Sequence, residues 1–506
     1  MKFFLRSNNI YIYKYKAIFI FFIIIIALHG FSYYNFNNTT DIPELFYQIE
    51  QILQLLIPKK HCRYTLYFSP KYRNSSVPNN YDIKKINLED KNYFVTFYSF
   101  HQSYSQHWNI TKNHSLIKSD YINGSHNLFI SPIPNFRISK NNENGLCKYQ
   151  KYGQFVNSNY IFQKNTLYNY YRRKAKTFSE EYNYMPETYI YPEDKDIIGK
   201  KFNNYLLNLN DLWLVKPPDK ANGDGLSILT SLKDIKYKQY LITKYITNIN
   251  LINGKKYDLR IYVLLAGIKP LRIYLYEEGL VRISTAEYKL DLNSIKNKFM
   301  HFTNTNVNRK NKIFSSPKHQ NDKTANTWNL FMYKKFLKTL NIEWKTIRDK
   351  IEDIIIKAII SVYEGLSEKN GNDNLNDQSF FNMLGIDIMI TDDFIPKLIE
   401  INFCPQMHYY NLVDKPIKSN FFVDTLNLIG ITPYSRKTNI PLYMNFQFKD
   451  DIEEKVNNAY CELSRPRGDF KLIFPKLDNI NKYKIFFDNI SKEDEKFWKI
   501  IKSRHK

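Results

Sequence analysis

The period of the apolar positions changes along this chain, and each period predicts a different kind of element. Between residues 200 and 284 the apolar residues fall into short runs at 212–216, 240–246, 258–265 and 271–276, separated by turn-forming residues. Short runs rich in β-branched and aromatic residues, in close succession, predict an antiparallel sheet. Farther on, Ile347, Ile351, Ile354, Ile355, Ile359 and Val362 recur at helical spacing, so residues 347–366 predict a helix whose isoleucine stripe faces a core. Residues 384–390 and 395–403 are apolar on both sides of a turn at 391–394 and predict a second antiparallel hairpin. Two polar stretches, 310–326 and 367–378, predict exposed loops. The sum is a mixed α+β (α/β) chain without internal repeats.

One apolar run has no polar face. Residues 17–28 (AIFIFFIIIIAL) follow Lys2, Arg6, Lys14 and Lys16, and weaker apolar character continues to residue 36. This predicts a signal anchor over 17–34 or, alternatively, a buried helix packed on the rest of the chain. Basic residues ahead of an inserted anchor would keep the N-terminus in the cytosol. The 506 residues allow a few packed units around one cleft. The expected division is a basic segment with the anchor candidate at 1–34, an N-terminal lobe at 35–195, a central lobe at 196–300, a C-terminal lobe at 301–440 and a basic extension at 441–506.

Charge widens the range of partners rather than choosing one. Against 49 Asp and Glu stand 73 Lys and Arg, a net charge of +24, which favours nucleic acid, anionic lipid or acidic polypeptide tails. The excess is spread over the whole chain, so a bias in composition accounts for part of it. Cys62, Cys147, Cys404 and Cys461 show no CxxC spacing; they indicate neither a zinc site nor a disulfide framework and suit a reducing compartment.

The chemistry concentrates in three places. Residues 213–226 (WLVKPPDKANGDGL) form a short strand ending at Lys216 and a loop carrying Gly223 and Gly225. Glycines let backbone N–H groups approach phosphate oxygens, and a lysine at the strand end offsets their charge; taken alone, an ordinary surface hairpin with a solvated lysine is the better reading. In residues 256–260 (KYDLR), period-two alternation puts Lys256, Asp258 and Arg260 on one strand face, which must meet water or a ligand. Arg272 and Arg282 flank Tyr274, Tyr276 and Glu278, and His301, Phe302, Thr303 and Asn304 follow a basic run. These are either solvated charges or clamps for phosphate and carboxylate. In the second hairpin Glu400 and Asn402 share a face, and a turn centred near Asp393 sets Asp387 roughly opposite Glu400. Two carboxylates and a carboxamide are the hard oxygen donors that Mg²⁺ prefers. Burying Asp and Glu in apolar strands is costly without such a cation, which favours a metal site over a structural hydrogen-bond network.

In order along the chain, WLVKP with its GxG loop, ITKYI, LINGKKYDLRIYVLL, PLRIYLYEEGLVRIST, HFTN and LGIDIMI followed by PKLIEINFCPQM resemble the motifs of tubulin tyrosine ligase-like enzymes, over residues 155–474. The resemblance implies an ATP-grasp core, in which two α+β lobes hold ATP, with an additional N-terminal α/β lobe and a helical C-terminal tail. It implies that Lys216, Lys164 and the Gly223–Gly225 loop meet the nucleotide phosphates, and that Ile242, Thr243, Lys244, Tyr245 and Ile246 line the adenine pocket through backbone groups. Lys256 and Asp258 would contact nucleotide, Arg260 and Arg282 would face the acceptor carboxylate and the transferred phosphate, and Asp387, Glu400 and Asn402 would hold Mg²⁺. The implied reaction makes an acylphosphate from an acceptor carboxylate and ATP, which the amino group of a free amino acid then attacks. Branches of the family add tyrosine, glutamate or glycine. Residues 412–418, 424–430 and 464–475 resemble the glutamylase branch, so glutamate on tubulin tails is the expectation, with no nucleic acid partner. The alternatives are a tyrosine or glycine ligase, a ligase for a non-tubulin acidic protein, and a non-catalytic, membrane-anchored binding protein of the same fold. A cytoplasmic, cytoskeletal location follows, with membrane association if 17–34 inserts. Lys482, Lys484, Lys492, Lys496, Lys499, Lys502 and Arg504 would either meet acidic tails or form a solvated helix. The chain departs from the family's pattern at Asn222, where arginine is common, and at Cys404-Pro405-Gln406, where serine-proline-serine is.

Overall fold

The structure is a computed structural model that describes residues 93–99, 116–118, 128–130 and 151–503, apart from 156, 206, 219–222, 224, 236–237, 369–376, 404, 432–433 and 436–451. The apolar run at 17–34 lies outside these residues. Among the described residues no helix is long and apolar enough to cross a membrane.

The main elements, in chain order, begin with strands β1 (Tyr93–Ser99), β2 (Leu116–Lys118), β3 (Leu128–Ile130) and β4 (Lys151–Tyr152), then helix α1 (Lys164–Thr177). Next come β5 (Thr188–Tyr191), α2 (Lys195–Phe202), β6 (Trp213–Lys216), β7 (Ser227–Ile228), β8 (Tyr240–Lys244), β9 (Leu251–Ile252), and the long strands β10 (Lys255–Ile268) and β11 (Leu271–Glu287). The remainder runs α3 (Lys298–His301), β12 (Thr327–Asn329), α4 (Leu330–Thr339), α5 (Trp344–Ser361), β13 (Asn382–Ile390), β14 (Pro396–Asn402), α6 (Asp414–Ile429), β15 (Tyr434–Ser435), α7 (Ile452–Glu462), β16 (Phe470–Phe474) and α8 (Lys492–Ser503). This is the α+β arrangement expected of the ATP-grasp type.

The β-rich runs at 212–276 build two sheets, not one. A four-stranded antiparallel sheet has the order β5-β8-β6-β7, and a seven-stranded one has the path β12-β11-β10-β13-β14, with β16 beside β11 and β9 beside β10. A third sheet joins β1 to β4 and β15. On the seven-stranded sheet, alternation sorts β10 into two faces. Tyr257, Leu259, Ile261, Val263 and Leu265 enter the main core with Ile347, Ile351, Ile354, Ile355 and Ile359 of α5, as the isoleucine stripe required. On the opposite face Tyr262, Leu264 and Ala266 pack under Phe421, Phe422 and Leu426 of α6. The near end of that same face, at Lys256, Asp258 and Arg260, is left without a helix and becomes a cleft floor.

The four-stranded sheet is sorted in the same way. Trp213, Val215, Tyr240 and Ile242 pack with Ile198 and Phe202 of α2, and the Phe202 and Trp213 rings meet edge to face at 5.0 Å. Its other face turns Leu214, Lys216 and Thr243 to the cleft.

Three expectations are corrected. Residues 310–326 carry no regular element, but Asp322, Ala325 and Asn326 are buried, because the Asn326 amide donates to the carbonyls of Ile283 and Ser284. Of the other loop, 369–376 lie outside the described residues. Cys461 is buried and disulfide-bonded, so the cysteines are not all free thiols. In the basic C-terminus, Lys482 pairs with Asp353 at 2.6 Å, Lys496 pairs with Glu453, and Phe497, Trp498 and Ile501 of α8 are core. Part of that charge is therefore answered within the chain.

Candidate functional site

Between the two sheets lies a cleft that opens to solvent, lined by side chains from both. Its floor is a row of charges fixed by strand register. Arg282 on β11 pairs directly with Asp258 on β10, Arg260 on β10 with Asp387 on β13, and Asp387 with Glu400 on β14. The side chains follow the ladder. Arg282 donates to Asp258 at 2.9 Å through Nε and to Asp387 at 2.8 Å, and Arg260 donates to Asp387 at 2.5 and 3.1 Å. Burial raises the Asp387 carboxyl, but Arg260 and then Arg282 outweigh it and hold the group well below the usual carboxylate range. Glycine at 385 makes room for this pair: a Cβ there would lie 3.1 Å from Arg260 Cδ and 2.9 Å from Pro405 Cβ.

Beside Asp387 the hairpin carries a bulge. Asp387 pairs with Glu400 but Ile388 pairs with Leu398, so Ile399 is the extra residue, and Ile399 and Glu400 both reach the cleft. Asn402 stands behind Glu400 and donates to its Oε1 at 3.2 Å. Asp387, Glu400 and Asn402 thus form one oxygen-rich group, in which Glu400 is more accessible than Asp387, with 24% of its side chain exposed against 3%. The donor set fits Mg²⁺.

Three lysines join that row in the cleft, Lys216 from the opposite sheet, Lys164 from α1 and Lys256 from the floor itself. Lys216, at the end of β6, is brought down to about 8 by burial, against the attraction of Glu400 and with added repulsion from Lys164. Burial takes Lys256 down to about 7, against Asp258 and with Lys216 repelling it. Lys164, at the start of α1, sits 3.8 Å from Glu400. Amines so depressed in a site lacking enough carboxylates are suited to a polyanion. Gly223 adopts φ +78°, and a Cβ there would lie 3.0 Å from Asn304 Oδ1. The loop therefore lies close against the wall formed by His301, Phe302, Thr303 and Asn304.

Of the expected nucleotide contacts, Lys164, Lys216, Gly223, Thr243, Lys244, Tyr245, Ile246, Lys256 and Asp258 line the cleft, with Arg282, Asp387 and Glu400. Gly225, Arg260 and Asn402 are not among the lining residues, and the Ile242 side chain points the other way, into the core under α2. Arg272 resolves differently from Arg282: it is neither solvated nor a clamp, but buried against Glu462 of α7 at 2.8 and 3.1 Å. Missing from the sequence reading were the apolar liners Pro186, Leu214, Leu226, Met389 and Ile399. Alternation from Lys216 to Leu214 and from Asp387 to Met389 was the available signal for two of them.

A sequence profile described as the tubulin-tyrosine ligase family matches residues 139–440, a span that contains every wall of the cleft. The chain belongs to the tubulin-tyrosine ligase family. Among curated relatives, it is 31% identical over 312 residues to tubulin monoglutamylase TTLL4 of Mus musculus, covering 58% of this chain and 26% of that protein. It is 31% identical over 287 residues to tubulin polyglutamylase ttll-4 of Caenorhabditis briggsae, covering 56% of this chain and 47% of the relative. Against tubulin polyglutamylase TTLL5 of Homo sapiens the identity is 29% over 308 residues, 60% of this chain and 24% of the relative. The chain thus spans at most about half the length of these relatives. Within the family, the similarity is to the glutamylase branch.

Proposed function

We propose that this chain is an ATP-dependent ligase that joins a free amino acid, glutamate, to carboxylates of tubulin tails. The observation that carries the reading is the register-fixed row Arg282, Asp258, Arg260, Asp387 and Glu400, with Lys256 beside it on the same floor and Lys216 across the cleft. Lys216, Lys164 and Lys256 would hold the phosphates, and Leu214, Met389 and Ile399 offer apolar surface to a base. Asp387 and Glu400 would hold Mg²⁺, with Asn402 orienting Glu400. The bound cation would screen the phosphate charge and polarise the transferred phosphoryl group.

In the first step an acceptor carboxylate oxygen attacks the γ-phosphorus of ATP and ADP leaves, giving an acylphosphate. The amino nitrogen of the free amino acid then attacks the acyl carbon, inorganic phosphate leaves, the nitrogen gives up its proton, and an amide bond remains. Charge growing on the phosphoryl oxygens would be stabilised by Lys216 and by Arg282, the latter held in place before reaction. Asp258 and Asp387 fix the Arg282 guanidinium, so it pays no reorganisation cost in the transition state.

Glutamate and tubulin are supported by the names of the relatives, all tubulin mono- or polyglutamylases. Such acceptors place the work of the protein on microtubules. The test is incorporation of labelled glutamate, tyrosine and glycine into purified microtubules by the full chain with ATP and Mg²⁺, and Glu400→Gln as control. Glutamate incorporation that the substitution abolishes is expected. Tyrosine or glycine instead would overturn the amino acid, and no incorporation by a folded chain that binds MgATP would overturn the ligase.

A further inference from the structure

Lys256 is 5% exposed in the cleft floor, and among the described residues its ammonium has one hydrogen-bond partner, the Tyr245 hydroxyl, at 2.9 Å. The Tyr245 ring also presents its face, 4.2 Å from centroid to nitrogen. Behind it, the same hydroxyl lies 2.9 Å from His301 Nδ1, and His301 Nε2 lies 3.3 Å from the Ser294 carbonyl oxygen. The Ser294 carbonyl can only accept, so a neutral His301 carries its single N–H at Nε2 and turns the Nδ1 lone pair to Tyr245. The Tyr245 hydroxyl then donates to Nδ1, and its oxygen accepts from the Lys256 ammonium. Burial, and next the charge of Lys256, push His301 down to about 4, which keeps the ring a neutral acceptor at physiological pH.

We propose that His301 is a positioning residue: by accepting the Tyr245 proton it turns the Tyr245 oxygen toward Lys256, and so holds that ammonium charged and aimed into the cleft. The consequence for nucleotide rests on the reading of the cleft given above, whereas the relay itself does not. The groups that face the relay are Asp258 and Lys216 on the Lys256 side, Tyr288 beside Tyr245 and His301, and Asp291 near His301. Asp258 is the one carboxylate among them that raises Lys256, so the loss of an accepting oxygen has little to offset it. Tyr245 directly follows β8 and His301 ends α3, so the relay ties the four-stranded sheet to the helix beside the cleft as well as setting a charge.

Two measurements on the full chain test this. The first uses no nucleotide: the pH dependence of Lys256 acylation by acetic anhydride, read by mass spectrometry. Tyr245→Phe and His301→Leu should move the titration of the amine to lower pH, by about tenfold in proton affinity, the scale of one hydrogen bond to a charged group. His301→Asn, whose Oδ1 can stand where Nδ1 stands, should keep it near the parent. The second is MgATP binding by calorimetry at about pH 8, expected about tenfold weaker in Tyr245→Phe and His301→Leu and largely restored in His301→Asn. An unmoved titration in Tyr245→Phe, which keeps the ring and loses one oxygen, overturns the relay, as does an equal loss in His301→Asn and His301→Leu. If the titration moves as expected but the parent chain binds no MgATP, the relay stands and the nucleotide reading falls.

Discussion

Asp387 and Glu400 are direct cross-strand partners on the β13–β14 hairpin, yet they stand in unlike surroundings. The Asp387 side chain is 3% exposed and gripped by two arginines, whereas that of Glu400 is 24% exposed and has Lys164 at 3.8 Å. Asp387 is tied to the arginines, and Glu400 is the more open of the two carboxylates to the cleft. Glu400→Gln should therefore keep the fold while ligase turnover falls by about a hundredfold or more. Asp387→Asn should in addition lose about 3 kcal/mol of stability, because it leaves two buried guanidinium groups without their shared charge. Thermal melting of both variants beside the incorporation assay separates these outcomes.

Proton uptake should accompany nucleotide binding. Burial brings Lys216 to about 8 and Lys256 to about 7, so between about pH 7 and about pH 9 the free chain holds these amines increasingly in the neutral form. Polyphosphate favours the charged forms, so binding draws protons in and affinity falls as pH rises through that window. Calorimetry in buffers of different ionisation enthalpy measures the exchange; net proton release, or affinity independent of pH, would contradict the arrangement.

Stability and chemistry should separate at Glu462. This residue accepts from Arg272 at 2.8 and 3.1 Å and from the Tyr274 hydroxyl at 2.9 Å, all of them buried. Glu462→Ala strands a buried arginine and should cost about 3–5 kcal/mol in denaturant unfolding. MgATP affinity of the folded fraction should stay at the parent value.

At Gly223 the expectation is the reverse. With φ at +78° and Asn304 Oδ1 at 3.0 Å from a built Cβ, Gly223→Ala strains the loop by about 1–2 kcal/mol. Because that loop borders the cleft, MgATP should bind roughly tenfold more weakly, with the melting temperature little changed. Equal affinity in the variant would show that the loop does not meet the ligand.

What the sequence made legible is what strand geometry determines locally. Alternation in KYDLR, and the symmetry of the hairpin about its turn, were enough to bring Lys256 and Asp258 to one wall and Asp387 opposite Glu400. Arg272 and Arg282 could not be told apart in this way. They lie on the same face of β11, and what separates them is Glu462, 190 residues from Arg272 in the chain. The division into two sheets was hidden for a similar reason, since β8 pairs with β5 and β6, whereas β10 pairs with β13 more than a hundred residues later. The bulge at Ile399 did leave a trace: buried Leu398 and Ile401 are three apart, where a regular strand would space them by two.

The face of β10 that carries Lys256, Asp258 and Arg260 continues without a break into Tyr262, Leu264 and Ala266 beneath α6. Catalytic floor and hydrophobic interior are successive stretches of one strand, so the floor has no local way to melt. Heating should abolish activity and unfold the core in a single transition, with the midpoints of the two coinciding. Any opening of the cleft must then come from the opposite wall, the four-stranded sheet, with the floor as its fixed reference.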